Sequence, residues 1–520
     1  MNNFDLIVIG AGINGAGIAR DAAMRGLHVL LLDKSDIGSG TSSWSTRLIH
    51  GGLRYLEHWE FRLVRESLRE RESLLRIAPH LVRPIPILIP IYEDGSRGRA
   101  TIRIGMVAYD VLSFDKSLPR HRLLSRSQTL VESPGLNPDG LLGGALYYDC
   151  QVEFAERLVV ENVLSARENS CEVLTYAQVT NINPGTVEFI RSGSDHTEIV
   201  RATLVINAAG PWVDRVLANS GAATERLIGG TKGSHVVVRS FAGAPPMAIY
   251  VEAESDRRPF FVIPWNSNYL IGTTDVRFEE NPDQVRSELW EVDYLLKEAN
   301  RIFPEANLSR RDISYTYSGV RPLPFAKNTD EAKITRRHFV RELPQNKNVL
   351  SIVGGKLTTY RHLAEECVDL ICKKLGKGSP RCTTALIPLP GAVEFSSYAS
   401  NFRKTGALPT SVNERLLRIY GSRTAELLQL CATNPALASQ FNKREDAIAA
   451  EIVFAFQVEE AKTLADCLLR RTMIGLNDDL AIGDDQSAAE IARRFLGWSE
   501  QRVKDEILDY RTRLKRLQLE

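Results

Sequence analysis

The stretch Leu6-Ile7-Val8-Ile9-Gly10-Ala11-Gly12-Ile13-Asn14-Gly15 decides how the rest of this chain is read. Four apolar residues predict a buried parallel strand, and three glycines spaced GxGxxG open a helix. Gly10 permits the tight turn, Gly12 lets the backbone approach a pyrophosphate, and Gly15 lets the helix sit close to the strand. The helix N-terminus offers N–H groups and partial positive charge to phosphates. A second apolar run, Val29-Leu30-Leu31-Leu32, ends in Asp33, where an acid receives ribose hydroxyls. Together these parts predict a dinucleotide-binding unit. The glycines alone would also suit a parallel-sheet turn that merely needs small residues.

Bulk composition narrows the classes. A chain of 520 residues has room for about three domains or two large ones. The 43% hydrophobic and 25% charged fractions describe an ordinary globular protein. A net charge of +1 provides no global field for nucleic acid. The seven cysteines form no CxxC pair or Cys/His ligand spacing, so neither a metal site nor a disulfide framework is expected, and the compartment is read as reducing and cytoplasmic. No leader is expected before the first strand, and no window reaches about 18 continuous apolar residues, so no membrane-spanning helix is expected. Attachment to a membrane surface stays open.

Strand, glycine turn and helix recur twice more. Leu204-Val205-Ile206 leads to Asn207-Ala208-Ala209-Gly210, and Val349-Leu350-Ser351-Ile352-Val353 leads to Gly354-Gly355 and an amphipathic helix. The loop between Gly38 and Gly52 is rich in Ser, Thr and Gly, and a helix is expected from about Trp59 to Ala78, stopped by Pro79. Ile85, Ile87, Ile89 and Ile91 share a face while Pro86 and Pro90 exclude a helix, which predicts an edge strand. Phe260–Trp265 and Tyr269–Thr274 read as a hairpin within a strand-rich stretch from about 231 to 340. Beyond Pro388 and Pro390 the periodicity is helical, with Ser411-Val412-Asn413-Glu414 read as a capping box.

A simple NAD dehydrogenase keeps its nucleotide domain in one block. Glycine turns at 10, 210 and 354 instead favour one extended cofactor touched by distant segments, which points to FAD. The Gly354-Gly355 turn into a helix suits the negative edge of a reduced flavin. The predicted class is α/β, a Rossmann-like FAD-binding domain of the glutathione-reductase or D-amino-acid-oxidase type, with an antiparallel substrate sheet and a C-terminal all-helical domain. The oxidoreductase region is expected at 1–385, with FAD-binding segments about 1–80, 145–230 and 345–385 and substrate segments about 81–144 and 231–344. The helical domain is expected at 392–520.

Several longer strings carry a resemblance. Leu48-Ile49-His50-Gly51-Gly52-Leu53-Arg54-Tyr55-Leu56-Glu57, Lys232-Gly233-Ser234-His235, Ile271-Gly272-Thr273-Thr274-Asp275, Tyr317-Ser318-Gly319-Val320-Arg321-Pro322 and Gly354-Gly355-Lys356-Leu357-Thr358-Thr359-Tyr360 follow one another in order. In this the chain resembles the FAD-dependent, respiratory glycerol-3-phosphate dehydrogenases, nearly throughout to about 390 and more weakly through Leu469-Arg470-Arg471-Thr472. Many relatives carry Glu at the position of Asp33, and either carboxylate serves. The resemblance implies oxidation of sn-glycerol 3-phosphate to dihydroxyacetone phosphate, with hydride passing from C2 to the flavin N5 and electrons going on to a quinone at the inner face of the cytoplasmic membrane.

A phosphate dianion needs several cations, and Arg54, Arg321, Arg336 and Lys356 are the candidates, with Tyr55 as a neutral donor. Removal of the hydroxyl proton needs a base, for which His235 is chosen and Lys356 is the rival, while Arg321 stabilises developing alkoxide charge. FAD is expected to meet Gly10, Gly12, Asn14, Gly15 and Asp33, then Thr41, Ser42 and Ser45, and from other sides Gly210, Gly355, Lys356, Leu357 and Thr358. His50 is read as a loop residue near the flavin. Arg97, Arg99 and Arg103, or the tail Arg511, Arg513, Lys515 and Arg516, are the segments that anionic lipid could engage, against the plain reading of solvated charge. A homodimer is one assembly the sequence allows. The alternatives are a glycerol-3-phosphate oxidase using dioxygen, an amino-acid oxidase of the same fold, and a non-catalytic flavin-binding regulator.

Overall fold

The computed structural model describes residues 3–57, 59–218, 225–327, 334–378, 380–442, 444 and 446–519, with only the backbone of Arg54. Its first sheet runs Phe339–Leu343, Asn346–Val353, Thr197–Asn207, Asn3–Ile9, Val29–Leu32 and Glu172–Leu174. Along this path every neighbouring pair from Asn346–Val353 onward is parallel, with Thr186–Arg191, antiparallel to Thr197–Asn207, and Ala177–Asn183 completing the eight strands; the register sets Ser351, Asn207, Ile9 and Leu32 side by side. Parallel strands covered on both faces read as unbroken apolar runs, which is why three of them are legible in sequence.

The helix Ile13–Met24 follows the first strand and packs against helices Ala155–Glu168 and Tyr360–Lys374. Its approach is close enough to require glycine. A Cβ on Gly15 would fall 1.8 Å from the Gly10 carbonyl oxygen, and one on Gly17 would fall 2.7 Å from the Tyr360 ring.

The second sheet has ten strands and is antiparallel except where Ala248–Glu252 runs parallel to Val82–Tyr92. The strand at 85–91 is therefore not an edge. It lies between Ala248–Glu252 and Leu141–Val152, paired with the latter from Val82 to Tyr92. Pro84, Pro86 and Pro90 have one parity, so the donors they lack fall along one side of the strand. Ala248–Glu252 pairs with it only at Ile87 and Leu88. The isoleucine face is buried as expected.

The hairpin is tighter than expected, with Trp265 paired to Asn268 across Asn266 and Ser267 at φ +48° and +61°. Two left-handed residues are what a two-residue hairpin turn demands.

Among the described residues seven α-helices between Phe395 and Leu514 form the C-terminal part, interrupted by a ribbon of Gln440–Asn442 and Ala447–Ile448. The predicted capping box is absent. The helix starts at Thr410 after Pro409, and Glu414 binds Arg403 instead, 2.6 Å away.

Buried ion pairs weld this part to the nucleotide sheet. Asp36 accepts from Arg470 at 2.5 Å and from Arg471 at 2.8 and 2.9 Å, and Arg157 donates two hydrogen bonds to Glu459 at 2.6 and 2.7 Å. Burial disfavours the Asp36 carboxylate, but Arg471 and Arg470 outweigh it and hold its titration below the ordinary range. Its contribution is therefore full above the unfolded carboxylate value and is lost only as pH falls further. Asp36→Ala leaves the buried Arg471 without a carboxylate and Arg470 with Asp466 alone, and is expected to cost about 3–5 kcal/mol. Urea denaturation should register it as a lowered midpoint; an unchanged midpoint would show that these pairs do not couple the two parts.

Candidate functional site

The three glycine turns meet at one end of the parallel sheet and open a crevice of about 460 Å³. Gly10, Gly12, Asn14, Asp33, Thr41, Ser42, Ser45, Gly210, Gly355, Lys356 and Leu357 all line it. Gly10, at φ +105°, turns the chain from strand to helix. The Asn14 side chain donates to the Gly354 carbonyl at 3.3 Å, tying the first turn to the third. The Asp33 carboxylate accepts from Ala11 N–H at 2.6 Å and from Ser35 N–H at 2.8 Å. Burial raises its pKa to about 6 against the pull of those donors, leaving it ionised at neutral pH with lone pairs to spare. Ser42 Oγ accepts from Ile13 N–H at 3.0 Å, so a loop hydroxyl caps the helix.

The crevice fits an elongated polar dinucleotide. Among the described residues, Asn14 Oδ1, Trp44 Nε1, Trp212 Nε1 and Lys356 Nζ are buried without a hydrogen-bond partner, and all four residues line it. Such groups are costly unless a ligand satisfies them.

Beside the crevice stands a cluster of cations. Arg321, closing the strand Ile313–Arg321, donates from Nη1 to Asp275 Oδ1 at 3.0 Å and from Nη2 to Thr273 Oγ1 at 3.1 Å. Arg336 donates to the other Asp275 oxygen at 3.0 Å, while its Nη1 is buried and unpartnered. Burial pushes Asp275 up, but Arg321 and Arg336 prevail and keep its carboxyl below the ordinary range. The Lys356 ammonium sits 3.8 Å above the Tyr55 ring, a favourable cation–π geometry.

His235 lies on the strand Thr231–Val238, buried, its ring stacked on Tyr317 with centroids 4.8 Å apart. Its Nε2 is 2.9 Å from the Thr46 hydroxyl, and its Nδ1 has no partner among the described residues. Burial, with Arg321 and Arg47 adding to it, pushes the imidazole well below its usual value, so it is neutral at pH 7.

Not every expected residue reaches the crevice. Gly15 serves helix packing, and Thr358 is buried, its hydroxyl accepting from His50 N–H at 3.2 Å. Thr41 lines the wall but gives its proton to the Val320 carbonyl at 2.7 Å. The side chain of Arg54 lies outside the described residues. Arg336 is not a solvated charge, being tied to Asp275. Sequence reasoning missed Asp275, quoted without a role, and Thr46. Acid and hydroxyl both stood in recognised strings, but nothing in their spacing revealed their partners. The tail arginines Arg513 and Arg516, read as candidates for anionic lipid, line the crevice instead, together with Arg470, to which sequence reasoning assigned no role.

Residues 5–366 match the family model for FAD dependent oxidoreductases, and residues 382–503 match the C-terminal domain of alpha-glycerophosphate oxidase. A glycerol-3-phosphate dehydrogenase of Synechocystis sp. is 46% identical, covering 98% of this chain and 95% of that one. A D-erythritol 1-phosphate dehydrogenase of Brucella abortus is 38% identical, covering 90% of this chain and 94% of that one. The X-ray structure of a glycerol-3-phosphate dehydrogenase from Bacillus halodurans complexed with FAD aligns with a TM-score of 0.80 at 28% identity, covering 100% of this chain and 97% of that one. With the crevice, the cofactor and near full-length likeness in agreement, this chain belongs to the FAD-dependent glycerol-3-phosphate dehydrogenase family.

Proposed function

We propose that this chain oxidises sn-glycerol 3-phosphate at C2, giving dihydroxyacetone phosphate, with electrons passing on to a respiratory quinone. One observation carries the substrate assignment. Asp275 shared between Arg321 and Arg336 leaves one net positive charge, and Lys356 adds a second. A phosphate dianion balances both. Arg336 Nη1 and Lys356 Nζ, buried donors without a hydrogen-bond partner among the described residues, hold its oxygens. Arg321 is fixed by protein acceptors, so it stabilises charge at the carbinol oxygen without having to grip the phosphate. Bound FAD supplies the hydride acceptor.

His235 takes the hydroxyl proton. With Nε2–H donating to Thr46, its Nδ1 lone pair is the free acceptor. Tyr55 supports Lys356 from beneath. The names of two relatives, each a dehydrogenase of a polyol phosphate, agree with a substrate of this class.

We assign the chain a peripheral place on the inner face of the cytoplasmic membrane. Among the described residues no helix is long and apolar enough to cross a membrane. The helix Arg99–Leu112 exposes Ile104 (71%), Val107 and Val111, with Phe114 (79%) just beyond and Arg99 and Arg103 on the same helix. Apolar side chains facing outward beside arginines suit an anionic lipid surface. A cleft of about 370 Å³ lined by Leu53, Trp59, Phe61, Ile89, Ile102 and Tyr250 opens nearby and suits an apolar quinone. Arg97 is paired with Glu57 and Glu252, so it adds little free charge there. The functional units are placed at 1–385, for chemistry, and 392–520.

Anaerobic addition of glycerol 3-phosphate is expected to bleach the flavin, while glycerol and D-amino acids leave it oxidised. Bleaching by an amino acid alone would remove the assignment, and stoichiometric peroxide in air would replace the dehydrogenase with an oxidase. Because His235 is already neutral, the reduction rate should stay level from about pH 8 to pH 7, above the second ionisation of the phosphate ester at about 6, and imidazole protonation should slow it only well below the usual imidazole value. His235→Ala should slow it by about 10²–10⁴-fold across that range; an unaffected rate would pass the proton to Lys356. On vesicles, wild type should sediment with anionic but not zwitterionic lipid. Paired Ile104→Glu and Val107→Glu substitutions should abolish that sedimentation, and binding that survives them would move the contact elsewhere.

A further inference from the structure

The last turn of the chain lies against the FAD crevice. The match to the C-terminal family model ends at residue 503, yet Arg513, Arg516 and Leu517 line the same crevice as Gly10, Gly12 and Asp33. Leu517 is buried in a cluster with Trp44, and the Arg516 guanidinium stands 4.4 Å over the Trp44 ring. Trp44 is itself held tightly, because a Cβ on Gly319 would meet its carbonyl oxygen at 2.8 Å.

The cations on this wall are not equivalent. Arg470 is bound by Asp36 and Asp466, and Arg513 by Asp509 at 2.6 Å. Arg516 has no carboxylate at ion-pair distance among the described residues. Its charged surroundings include Arg470 and Arg513, which repel it, and Asp283 on the facing loop, which Lys34 engages at 2.7 Å. Although Arg516 stays exposed, the walls beside its guanidinium, then Arg470 and Arg513, lower its pKa to about 10, and it keeps its charge at neutral pH. An exposed guanidinium with no carboxylate at ion-pair distance among the described residues, open to a crevice built on a phosphate-binding turn, is stabilised once an anion enters.

We propose that Arg516 is a ligand of the FAD diphosphate and that the C-terminal turn Lys515–Leu517 is a clasp over the bound cofactor. The inference rests on FAD as the occupant of the crevice and is independent of the substrate. A chain that bound FAD but left glycerol 3-phosphate untouched would not affect it.

The test is equilibrium binding to the full chain stripped of flavin. FAD is followed by fluorescence, and ADP and adenosine by displacement of FAD. Arg516→Glu is expected to weaken FAD and ADP by about 10–100-fold, Arg516→Gln by less, and Arg516→Lys least. Adenosine, which lacks phosphate, should bind all four proteins alike. A flat series for FAD and ADP would overturn the proposal. So would a loss for adenosine equal to that for ADP, since the turn would then act through packing alone. If the Glu variant does not fold, the Gln and Lys variants decide by the same readings.

Discussion

Parallel strand register is the constraint on which the rest of this structure depends. Backbone hydrogen bonding places Ser351, Asn207, Ile9 and Leu32 on one level. The residues that follow must therefore leave the sheet at the same end. Three turns distant in sequence become the floor and walls of one crevice, and the helix from Ile13 aims its N-terminus into it. Everything polar there inherits its position from this alignment. Ser42 caps the helix, Asn14 reaches the third turn, and Asp33 braces the first.

The second sheet contributes charge. Thr231–Val238 and Ile313–Arg321 pair in register, so that His235 and Tyr317 lie opposite each other and Arg321 ends beside Thr231. Asp275 then decides how much of the positive charge is neutralised. With one carboxylate between two guanidiniums, the pocket keeps a surplus instead of collapsing into closed pairs. The imidazole is kept neutral by burial together with Arg321 and Arg47, so under the proposed function a proton acceptor and a phosphate site would share one small region without an ion pair between them.

The helical part belongs to the site more than its position in the chain implies. Asp36, on the loop after the second parallel strand, is gripped by Arg470 and Arg471, and the chain's end packs against Trp44. If Arg516 holds the cofactor as proposed, cofactor binding and the attachment of this part are joined. Ligand that holds only the assembled form stabilises the whole by mass action.

The legibility of each element followed from how local its cause was. Gly10, Gly12, Gly15 and the apolar runs were readable because turn geometry and burial on both faces constrain residue type over a few positions. The strand at 85–91 was readable as a strand but not as an interior one, because its place depends on Ala248–Glu252, which the prolines do not announce. Ser411 to Glu414 had the right residues for a cap, yet Glu414 found a stronger partner in Arg403. By itself the amino-acid sequence determined the nucleotide fold and pointed to the cofactor through spacing along the chain, while the candidate cations came from strings that resemble a known family. Only the tertiary structure decided that Asp275 holds two of those cations, that Thr46 faces His235 and that Arg516 lines the cofactor crevice. Such pairings are set by strand register and by the docking of the helices, and neither is written in any local run of residues.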